Sequence, residues 1–571
     1  MMGNRRSNPS WRASRMLAAS GLVAVACVAW AAPASGPAIR FVDEAARRGV
    51  QDLGVNATGP TFGDYDGDGD LDIFVPVEDL APGLADRLFE NDGQGVFHDV
   101  AALRGAQNPG SLSRGAVFCD FDGDGDLDLL SATMPPGQSR ERHVPTTLLR
   151  NLLKERGEPR FEDVTRAAGL MRAGNALDAK IGGIGDTAGG VGCADYDRDG
   201  DLDLFWKNTD AEVENALFRN DGDWRFTDVT ASAGVGIQAS LRESNAQGSP
   251  NWTDVDQDGW IDLLVTNEGD AKVLLRNRGD GRFEDITRSR RPPSGLPFLN
   301  PGQAQGACIA DFDNDGDMDF YLPLADQANR LIMSRLKEKG VLAYEDVTLR
   351  SGAGFAGGAR GCAVADFDND GDVDIYVNNG GPSNVLINDV ISDFPPFVQF
   401  YIAWEPAENL LLRNDGTGHF TDVTRGSGAE GPGIGSGVGA ADLNDDGFPD
   451  LFVTNRTYYA AGKRVSPAPG QNRLFVNRGN RNHWIKVRLV GARGNRNAYG
   501  AMIKVTSGDL VQYHETQSAH GYNSTSDPVI TFGLGARTQV ESIEVRWPDG
   551  TTQSLSAPPV GTIAELVEAA R

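Results

Sequence analysis

Short apolar segments alternate with polar turns along most of the chain, in an order that repeats. In each repeat a Gly/Ala-rich segment such as GVGCA or GACIA comes first, and a second segment such as LDIFV or IDLLV follows an acidic run. A third segment reads Leu-[Phe/Leu]-x-Asn and leads through an NDG turn to a fourth, such as FEDVT or FTDVT. Four short strands separated by turn residues predict one antiparallel sheet per repeat.

The acidic run D-x-[DN]-x-D-G-x-x-D occurs seven times, and successive copies start 56, 75, 59, 57, 55 and 76 residues apart. Because one such sheet cannot bury both of its faces alone, the repeats predict an all-β fold, a seven-bladed β-propeller over residues 39–480. The seventh repeat has a third strand at 474–477 but no fourth. We expect IRFVDEA at 39–45 to supply the missing strand, which would remove an exposed sheet edge.

The residue types of the acidic run suit a hard cation. Carboxylates at positions one, three, five and nine and a backbone carbonyl at position seven supply the oxygens that calcium prefers, and the glycine at position six permits a sharp bend. Position seven is Trp260 or Phe448 in two copies, as expected if only its carbonyl binds, and position three is once Asn444. Position twelve is Val75, Trp206 or Val265 in three copies rather than the glutamate of an EF-hand.

The sequence therefore predicts about seven Ca2+ sites, one per blade, while magnesium or manganese in some loops stays open. The predicted ligands, loop by loop, are Asp64, Asp66, Asp68, Asp70 and Asp72; Asp120, Asp122, Asp124, Asp126 and Asp128; Asp195, Asp197, Asp199, Asp201 and Asp203; Asp254, Asp256, Asp258, Trp260 and Asp262; Asp311, Asp313, Asp315, Asp317 and Asp319; Asp366, Asp368, Asp370, Asp372 and Asp374; and Asp442, Asn444, Asp446, Phe448 and Asp450.

The first 31 residues are typical of an export signal. Four arginines precede an apolar run from Met16 to about Trp30, and Ala29-Trp30-Ala31 gives a small-x-small cleavage site. A second interpretation is a lipoprotein, because Ala24-Val25-Ala26-Cys27 resembles a lipobox that would make Cys27 a lipid anchor. The apolar run is short for a membrane span. We expect a secreted or extracytoplasmic protein without a transmembrane segment.

Charge and cysteine usage narrow the function classes. A net charge of −27 argues against nucleic acid as a partner, because phosphate binding needs a basic face. Cys119, Cys193, Cys308 and Cys362 each lie one to four residues before an acidic run. We interpret them as small buried residues of first strands and do not expect the chain to depend on disulfides.

Two parts of the chain resemble known families. The repeats resemble FG-GAP/VCBS repeats, the calcium-bearing blades of integrin α-subunit propellers. HWIKVRLVGARGNRNAYGAMIKVTSG, VITFGLG and VESIEVRWPDGTTQSL resemble the ASPIC/UnbV domain. The combination is similar to cartilage-acidic-protein-like and UnbV-like proteins. This resemblance implies a small C-terminal β-sandwich-like domain over 481–571 and an extracellular, calcium-binding protein of adhesion or matrix, with no established catalytic residues.

The ligand is expected on the face away from the acidic loops. The acidic loops and the NDG turns share one face of the propeller, and the longer irregular stretches belong to the other face, where binding usually resides. The largest insertion, 392–406, includes Phe397, Tyr401 and Trp404 as candidate ligand contacts, although these aromatic side chains could instead pack on their own blade. Both NVLIND and NLLLRND are candidates for the third strand beside it.

No catalytic residue is predicted. His514-Glu515 with His520 has the wrong spacing for the zinc motif HExxH and is interpreted as structural. We therefore expect a monomeric, non-catalytic protein that binds or adheres to an extracellular protein or carbohydrate. The alternative is a glycan-active hydrolase or lyase built on the propeller scaffold.

Overall fold

The repeats fold as four-stranded antiparallel sheets in a computed structural model that describes residues 39–569, apart from 53, 79–83, 134–144, 172–187, 209–213, 237–247, 268–271, 290, 297–301, 384–402, 458, 461–462, 465–468 and 493. Seven such sheets follow one another, and we number them 1 to 7 along the chain. Their strands, in the order first to fourth, are Thr61–Gly63, Asp72–Val75, Arg87–Asn91 and Phe97–Asp99; Ser113–Cys119, Asp128–Thr133, Thr147–Asn151 and Phe161–Asp163; Ala188–Ala194, Asp203–Asn208, Ala216–Asn220 and Phe226–Asp228; Pro250–Thr253, Asp262–Val265, Val273–Asn277 and Phe283–Asp285; Cys308–Ala310, Asp319–Leu322, Arg330–Ser334 and Tyr344–Asp346; Ala359–Ala365, Asp374–Ser383, Leu410–Asn414 and Phe420–Asp422; and Gly435–Ala441, Asp450–Asn455, Arg473–Asn477 and Phe41–Asp43.

The strand that closes sheet 7 comes from the start of the described chain. Phe41 pairs with Asn477 and Asp43 pairs with Phe475 in an antiparallel register. The prediction that 39–45 completes the last sheet is confirmed. In sheet 6 the third strand comes from NLLLRND. The other candidate, NVLIND, lies outside the described residues. An extra strand, Ala403–Pro406, pairs with the long second strand.

Burial decreases from the first strand of each sheet to the fourth. Every described position of the first two strands in sheet 3 is buried, whereas its fourth strand buries only Phe226 and exposes the next two residues. Small residues at first-strand positions allow these strands to approach one another, which is why GVGCA-type segments come first. Seven apolar clusters each join two neighbouring sheets, and one of them joins sheet 7 to sheet 1 through Phe452, Leu474 and Phe62.

The four cysteines among the described residues are paired, so the expectation that the chain does not depend on disulfides is wrong. Cys119–Cys193 joins the first strands of sheets 2 and 3, and Cys308–Cys362 joins those of sheets 5 and 6. All four are buried, as expected. The pairing arises because separations of 74 and 54 residues, each one residue less than the spacing of the acidic runs, place neighbouring first-strand positions of adjacent sheets side by side.

Two further sheets follow sheet 7, and we call residues 481–569 the C-terminal domain. A three-stranded sheet and a four-stranded sheet enclose an apolar cluster that includes Ile485, Ile503 and Trp547. The strands of the three-stranded sheet are, in spatial order, Ile530–Gly535, His483–Val490 and Ile563–Val567, and those of the four-stranded sheet are Leu510–Glu515, Met502–Ser507, Ser542–Arg546 and Thr552–Ser556.

Helices are minor elements of the described chain. Each is a single turn that ends at a glycine with positive φ, as in Gly105 and Gly340. They are Ala101–Arg104, Leu153–Arg156, Thr230–Ala233, Leu336–Lys339 and Thr348–Ser351, and a small hairpin pairs Tyr459–Ala460 with Lys463–Arg464. Across the described ranges, no helix is long and apolar enough to cross a membrane.

Candidate metal centres

Each acidic run connects the first strand of its sheet to the second, and we call these runs loops 1 to 7. Position nine is the first residue of the second strand in every sheet, for example Asp72 and Asp128. The NDG turn between the third and fourth strands lies against position seven of the same sheet, as Gly93 beside Asp70 and Gly416 beside Asp372 show. The acidic loops and the NDG turns therefore share one face, as the strand order predicted.

The same hydrogen bonds curl all seven loops. The glycine N–H at position six donates to Oδ2 of the position-one aspartate at 2.7 to 3.1 Å. The N–H at position seven donates to Oδ1 of the position-five aspartate at 2.8 to 3.2 Å. Position six has φ between 85° and 107°, which only glycine adopts without strain, and this accounts for its invariance here.

Position nine has a structural role that the sequence did not reveal. Asp128 Oδ2 accepts the N–H of Phe121 at 2.9 Å, and Asp128 Oδ1 accepts the N–H of Asn151 at 2.9 Å. Both contacts recur in the other six sheets, with Ser334 in place of the asparagine in sheet 5. This carboxylate therefore joins the loop to the third strand.

The asparagine that ends the third strand links neighbouring sheets. Asn151 Nδ2 donates to the carbonyl of Tyr65 in sheet 1 at 2.8 Å, and Asn477 Nδ2 donates to that of Phe367 in sheet 6 at 2.9 Å. Equivalent bonds come from Asn220, Asn277, Asn414 and, at 3.4 Å, Asn91. The Leu-x-x-Asn pattern is thus a contact between sheets as well as a strand end.

Several carboxylate oxygens of the loops are buried without a hydrogen-bond partner among the described residues. They are Oδ1 of Asp64, Asp120, Asp195 and Asp254 at position one, of Asp256, Asp313 and Asp368 at position three, and of Asp126 at position seven. In loops 1, 2 and 4, oxygens from positions one, three and nine lie within 4.8 Å of one another. Buried anionic oxygens that converge in this way could hold a calcium ion, which takes six to eight oxygen ligands.

The electrostatics of the loops point the same way. Burial, followed by the charge of Asp124, raises the pKa of Asp120 to about 7, and burial with the charge of Asp199 raises the pKa of Asp195 to about 7. Burial likewise raises the pKa of Asp315 to about 7. Because these groups resist ionisation without a counterion, a divalent cation would supply the charge that the loops require.

Arginines beside four loops were missed by the sequence interpretation. Arg150, Arg276 and Arg413 immediately precede the third-strand asparagine and pair with position three of their own loops, and Arg335 pairs with Asp313 at 3.2 Å. Arg413 also reaches position five, at 2.6 Å from Asp370. The recurring arginine in LLRN was the available signal. In loop 2, Glu155 adds a carboxylate within 4.8 Å of Asp122 and Asp124.

The C-terminal domain lies on the acidic-loop face. Asn495 N donates to the carbonyl of Gly200 in loop 3, and Gly535 N donates to that of Asn369 in loop 6, both at 2.8 Å. Side chains of the domain pair with loops 4 and 7: Arg546 with Asp254 at 2.9 Å, and Lys486 with Asp442. These contacts lie within one compact unit, Pro37–Arg571.

Residues 517–527, here called the axial segment, contact the first strand of every sheet or the residues just before it. Ser518 Oγ bonds the backbone of Cys193 in sheet 3, Gly521 N donates to Ala307 O in sheet 5 at 2.9 Å, and Asn523 N donates to Ser249 Oγ in sheet 4. The Tyr522 hydroxyl accepts a hydrogen bond from Arg114 in sheet 2, and Thr525 Oγ1 accepts the Phe62 N–H in sheet 1. Asp527 N donates to Ala440 O in sheet 7. Gly521 packs against the carbonyl of Cys362 in sheet 6.

Comparison with known proteins agrees with this organisation. Residues 81–131, 254–322 and 400–453 match the FG-GAP-like repeat, and residues 491–571 match the family described as ASPIC and UnbV. The chain is an FG-GAP-repeat protein with an ASPIC and UnbV domain. This is the combination that the sequence predicted.

Cartilage acidic protein 1 is a relative of this FG-GAP-repeat protein. The Mus musculus protein is 25% identical over 544 residues, covering 88% of this chain and 72% of its own. The Homo sapiens protein is 25% identical over 54% of this chain and 42% of its own, and the Xenopus tropicalis protein is 25% identical over 53% and 42%. The chain thus matches about two fifths of the length of the human and frog relatives.

Two solved structures are similar at lower identity. A rhamnogalacturonan lyase of Bacillus licheniformis has a TM-score of 0.35 and 13% identity, covering 77% of this chain and 75% of its own. The V. cholerae biofilm matrix protein Bap1 has a TM-score of 0.25 and 12% identity, over 90% and 82%. TM-scores of 0.35 and 0.25 are too low for either likeness to bear on function.

The remaining predicted site residues fall in different places. Phe397 and Tyr401 lie outside the described residues, as do residues 1–31 with Cys27, and Trp404 belongs to the extra strand of sheet 6 opposite Pro382. His514 and His520 belong to the C-terminal domain, where His520 is buried and His514 is half-buried. Loss of hydration lowers their pKa to about 4 and about 3, so both are neutral. His520 Nδ1 lies 3.2 Å from Gln517 Oε1.

Proposed function

We propose that this FG-GAP-repeat protein is a secreted, calcium-loaded, seven-bladed β-propeller that binds an extracellular protein or glycan without catalysis. The observation that carries the metal assignment is the set of buried position-one oxygens without a partner among the described residues, such as Asp120 Oδ1 and Asp254 Oδ1, in loops 1 to 4. These loops share the hydrogen bond from the position-six glycine with the other three. The seven interlocking apolar clusters support the closed ring of blades.

When bound, calcium would supply the positive charge that lets each loop close. The position-six glycine N–H occupies one oxygen of the first carboxylate, and in loops 1 to 4 the other oxygen is buried without a partner among the described residues. Position nine already fixes the loop to the third strand through its two backbone hydrogen bonds. The loops are therefore scaffold, and they stabilise the ring rather than contact the ligand.

The C-terminal domain covers part of the acidic-loop face, and this indicates where a ligand would bind. The C-terminal domain contacts loops 3, 4, 6 and 7, and the axial segment runs along the first strands from that side. A ligand would therefore approach from the opposite face or from the rim, where the connections between second and third strands emerge.

An extracytoplasmic location belongs to the same proposal. Two disulfides among the described residues fit an oxidising compartment, in agreement with the export signal in the sequence. Mass spectrometry of the mature N-terminus separates a secreted form that begins near Ala32 from a lipoprotein that begins at a lipidated Cys27.

Elemental analysis and thermal unfolding test the metal assignment. We expect close to one calcium per loop in the purified protein and a lower melting temperature after chelation. Asp120→Asn should reduce both the calcium content and the calcium-dependent stability, whereas Asp223→Asn, which removes an exposed carboxylate outside the loops, should change neither. Protein that contains almost no calcium and is unaffected by chelator would overturn the assignment.

A ligand screen tests the binding function. Purified protein is applied to glycan and extracellular-protein arrays with calcium and with chelator, and the same polysaccharides are assayed for cleavage. We expect calcium-dependent binding without turnover. Turnover abolished by replacing an acid outside the loops would instead establish the glycan-active enzyme.

A further inference from the structure

Loops 4 and 7 are held by the C-terminal domain through the same pair of contacts. In loop 4, Arg546 Nη2 lies 2.9 Å from Asp254 Oδ2, and Glu515 Oε1 accepts the Asp254 N–H at 2.9 Å. In loop 7, Lys486 Nζ pairs with Asp442 Oδ2, and Asp527 Oδ2 accepts the Asp442 N–H at 3.2 Å. Each position-one residue thus receives a cation on its side chain and a carboxylate on its backbone.

The cation binds the outer oxygen of the carboxylate. Asp254 Oδ2 also accepts the Gly259 N–H at 2.9 Å, and Asp442 Oδ2 accepts the Gly447 N–H at 2.8 Å. Asp254 Oδ1 is buried and has no partner among the described residues. A metal ion in loop 4 and the guanidinium of Arg546 would therefore contact opposite oxygens of one carboxylate.

The other five loops lack this contact. Within the described ranges, the position-one carboxylates Asp64, Asp120, Asp195, Asp311 and Asp366 form no ion pair with a lysine or arginine, and the charge of Arg488 reaches Asp64 only through space. Loop 4 is also the loop with the most cations, since Arg276 pairs with Asp256 and Asp258 on its other side.

We infer that the C-terminal domain, through Arg546 and Lys486, lowers the calcium affinity of loops 4 and 7. A fixed cation beside the position-one carboxylate repels the calcium ion and neutralises part of the negative charge of that carboxylate, so it weakens calcium binding. Because the coupling between two binding events is reciprocal, calcium bound in loops 4 and 7 weakens the binding of the C-terminal domain to these loops. This inference rests on the proposed calcium binding.

Tryptophans make the loops separately observable with terbium, a luminescent calcium substitute that nearby indoles sensitise. Trp260 is position seven of loop 4, and the ring of Trp484 packs against Gly447 of loop 7. Trp224 Nε1 donates to Asp122 Oδ2 at 2.9 Å, so this tryptophan reports on loop 2, which serves as the reference loop. Subtracting the signals of Trp260→Phe, Trp484→Phe and Trp224→Phe assigns the luminescence to each loop, and added calcium displaces it.

In Arg546→Gln we expect the calcium dissociation constant of loop 4, obtained from the terbium affinity of the loop together with the calcium needed to displace terbium, to fall about tenfold, with loop 2 unchanged. Lys486→Gln should do the same for loop 7 only. Arg546→Lys keeps the charge and should leave loop 4 close to the parent value, which separates an electrostatic effect from loss of structure.

Two results overturn the inference alone: loop 4 in Arg546→Gln keeps its parent affinity while loop 2 binds calcium, or Arg546→Lys shifts loop 4 as much as Arg546→Gln does. If calcium displaces terbium from none of the three loops, the proposed function falls and this inference falls with it.

Discussion

Within a loop, the five ligand positions do different work. The first aspartate places one oxygen on the glycine N–H and leaves the other inside, whereas the ninth uses both oxygens to accept backbone N–H groups. The repeated carboxylates therefore contribute to the stability of the protein in two ways, according to their position in the loop. One depends on a metal ion, and the other belongs to the protein even without it.

Asp128→Asn and Asp120→Asn should separate these contributions. Replacing Asp128 leaves a buried N–H without an acceptor, so we expect a loss of about 1–3 kcal/mol in unfolding free energy even in chelator. Asp120→Asn can keep its bond to Gly125 through the amide oxygen, so its loss should appear only with calcium. Urea unfolding of both variants in calcium and in chelator measures this. Equal stability of Asp128→Asn and the parent in chelator would contradict it.

Asp86, a buried carboxylate outside the loops, should make the unfolding free energy depend on pH. It is fully buried and accepts bonds from Val77 N and Ser113 Oγ at 2.8 Å and from Asn108 Nδ2 at 3.1 Å. Burial raises its pKa from 3.8 to about 7, although these bonds act in the opposite direction. The folded state therefore binds the proton more tightly, and this stabilisation is present below the unfolded pKa and lost as pH rises through about 7.

Asp86→Asn cannot ionise, so it should not lose this stability as pH rises. Relative to the parent, the variant should gain up to about 4 kcal/mol between pH values below and above the titration. Unfolding free energies measured across this range, with the exposed Asp223→Asn as control, test the sign. Parallel curves for Asp86→Asn and the parent would show that the buried group does not titrate there.

At the scale of strands and sheets, much of the architecture follows from the sequence pattern. Repeating segments predicted the order of strands, the shared face of loops and turns, and the strand at 39–45 that completes sheet 7. The disulfides were not predicted, because only folding places the first strands of neighbouring sheets side by side. The arginines beside the loops were missed for a related reason, since only folding brings Arg413 to Asp368.

The disulfide between sheets 2 and 3 should contribute to stability. Replacing both Cys119 and Cys193 by alanine frees a loop of 74 residues in the unfolded chain. We expect a loss of about 2–5 kcal/mol, while the pair in sheets 5 and 6 remains intact as an internal control. Thermal unfolding measures the loss, and thiol counting of denatured, unreduced parent protein should find both pairs oxidised. Four free thiols beyond the signal region would contradict the pairing.

For the molecule as a whole, the axial segment joins the C-terminal domain to all seven sheets. Its fit depends on glycines: a methyl group on Gly59 would overlap the backbone of Asn523, and one on Gly306 would overlap that of Gly521. The sequence predicts a separate small domain but not this contact, because SAHGYNSTSD has no apolar pattern of its own. The segment is held by hydrogen bonds to all but one of the seven sheets and by close packing against the remaining one.

Gly521→Ala tests this fit against a matched glycine. Gly521 has φ of 58° and faces the carbonyl of Cys362, whereas Gly508 has φ of 64° with open space beyond it. Both alanine variants carry the strain of a left-handed backbone, about 1 kcal/mol. Only Gly521→Ala also forces the segment away from sheet 6, so we expect it to lose at least about 1–3 kcal/mol more in thermal unfolding. Equal losses at the two glycines would mean that the segment does not depend on close contact with the first strands.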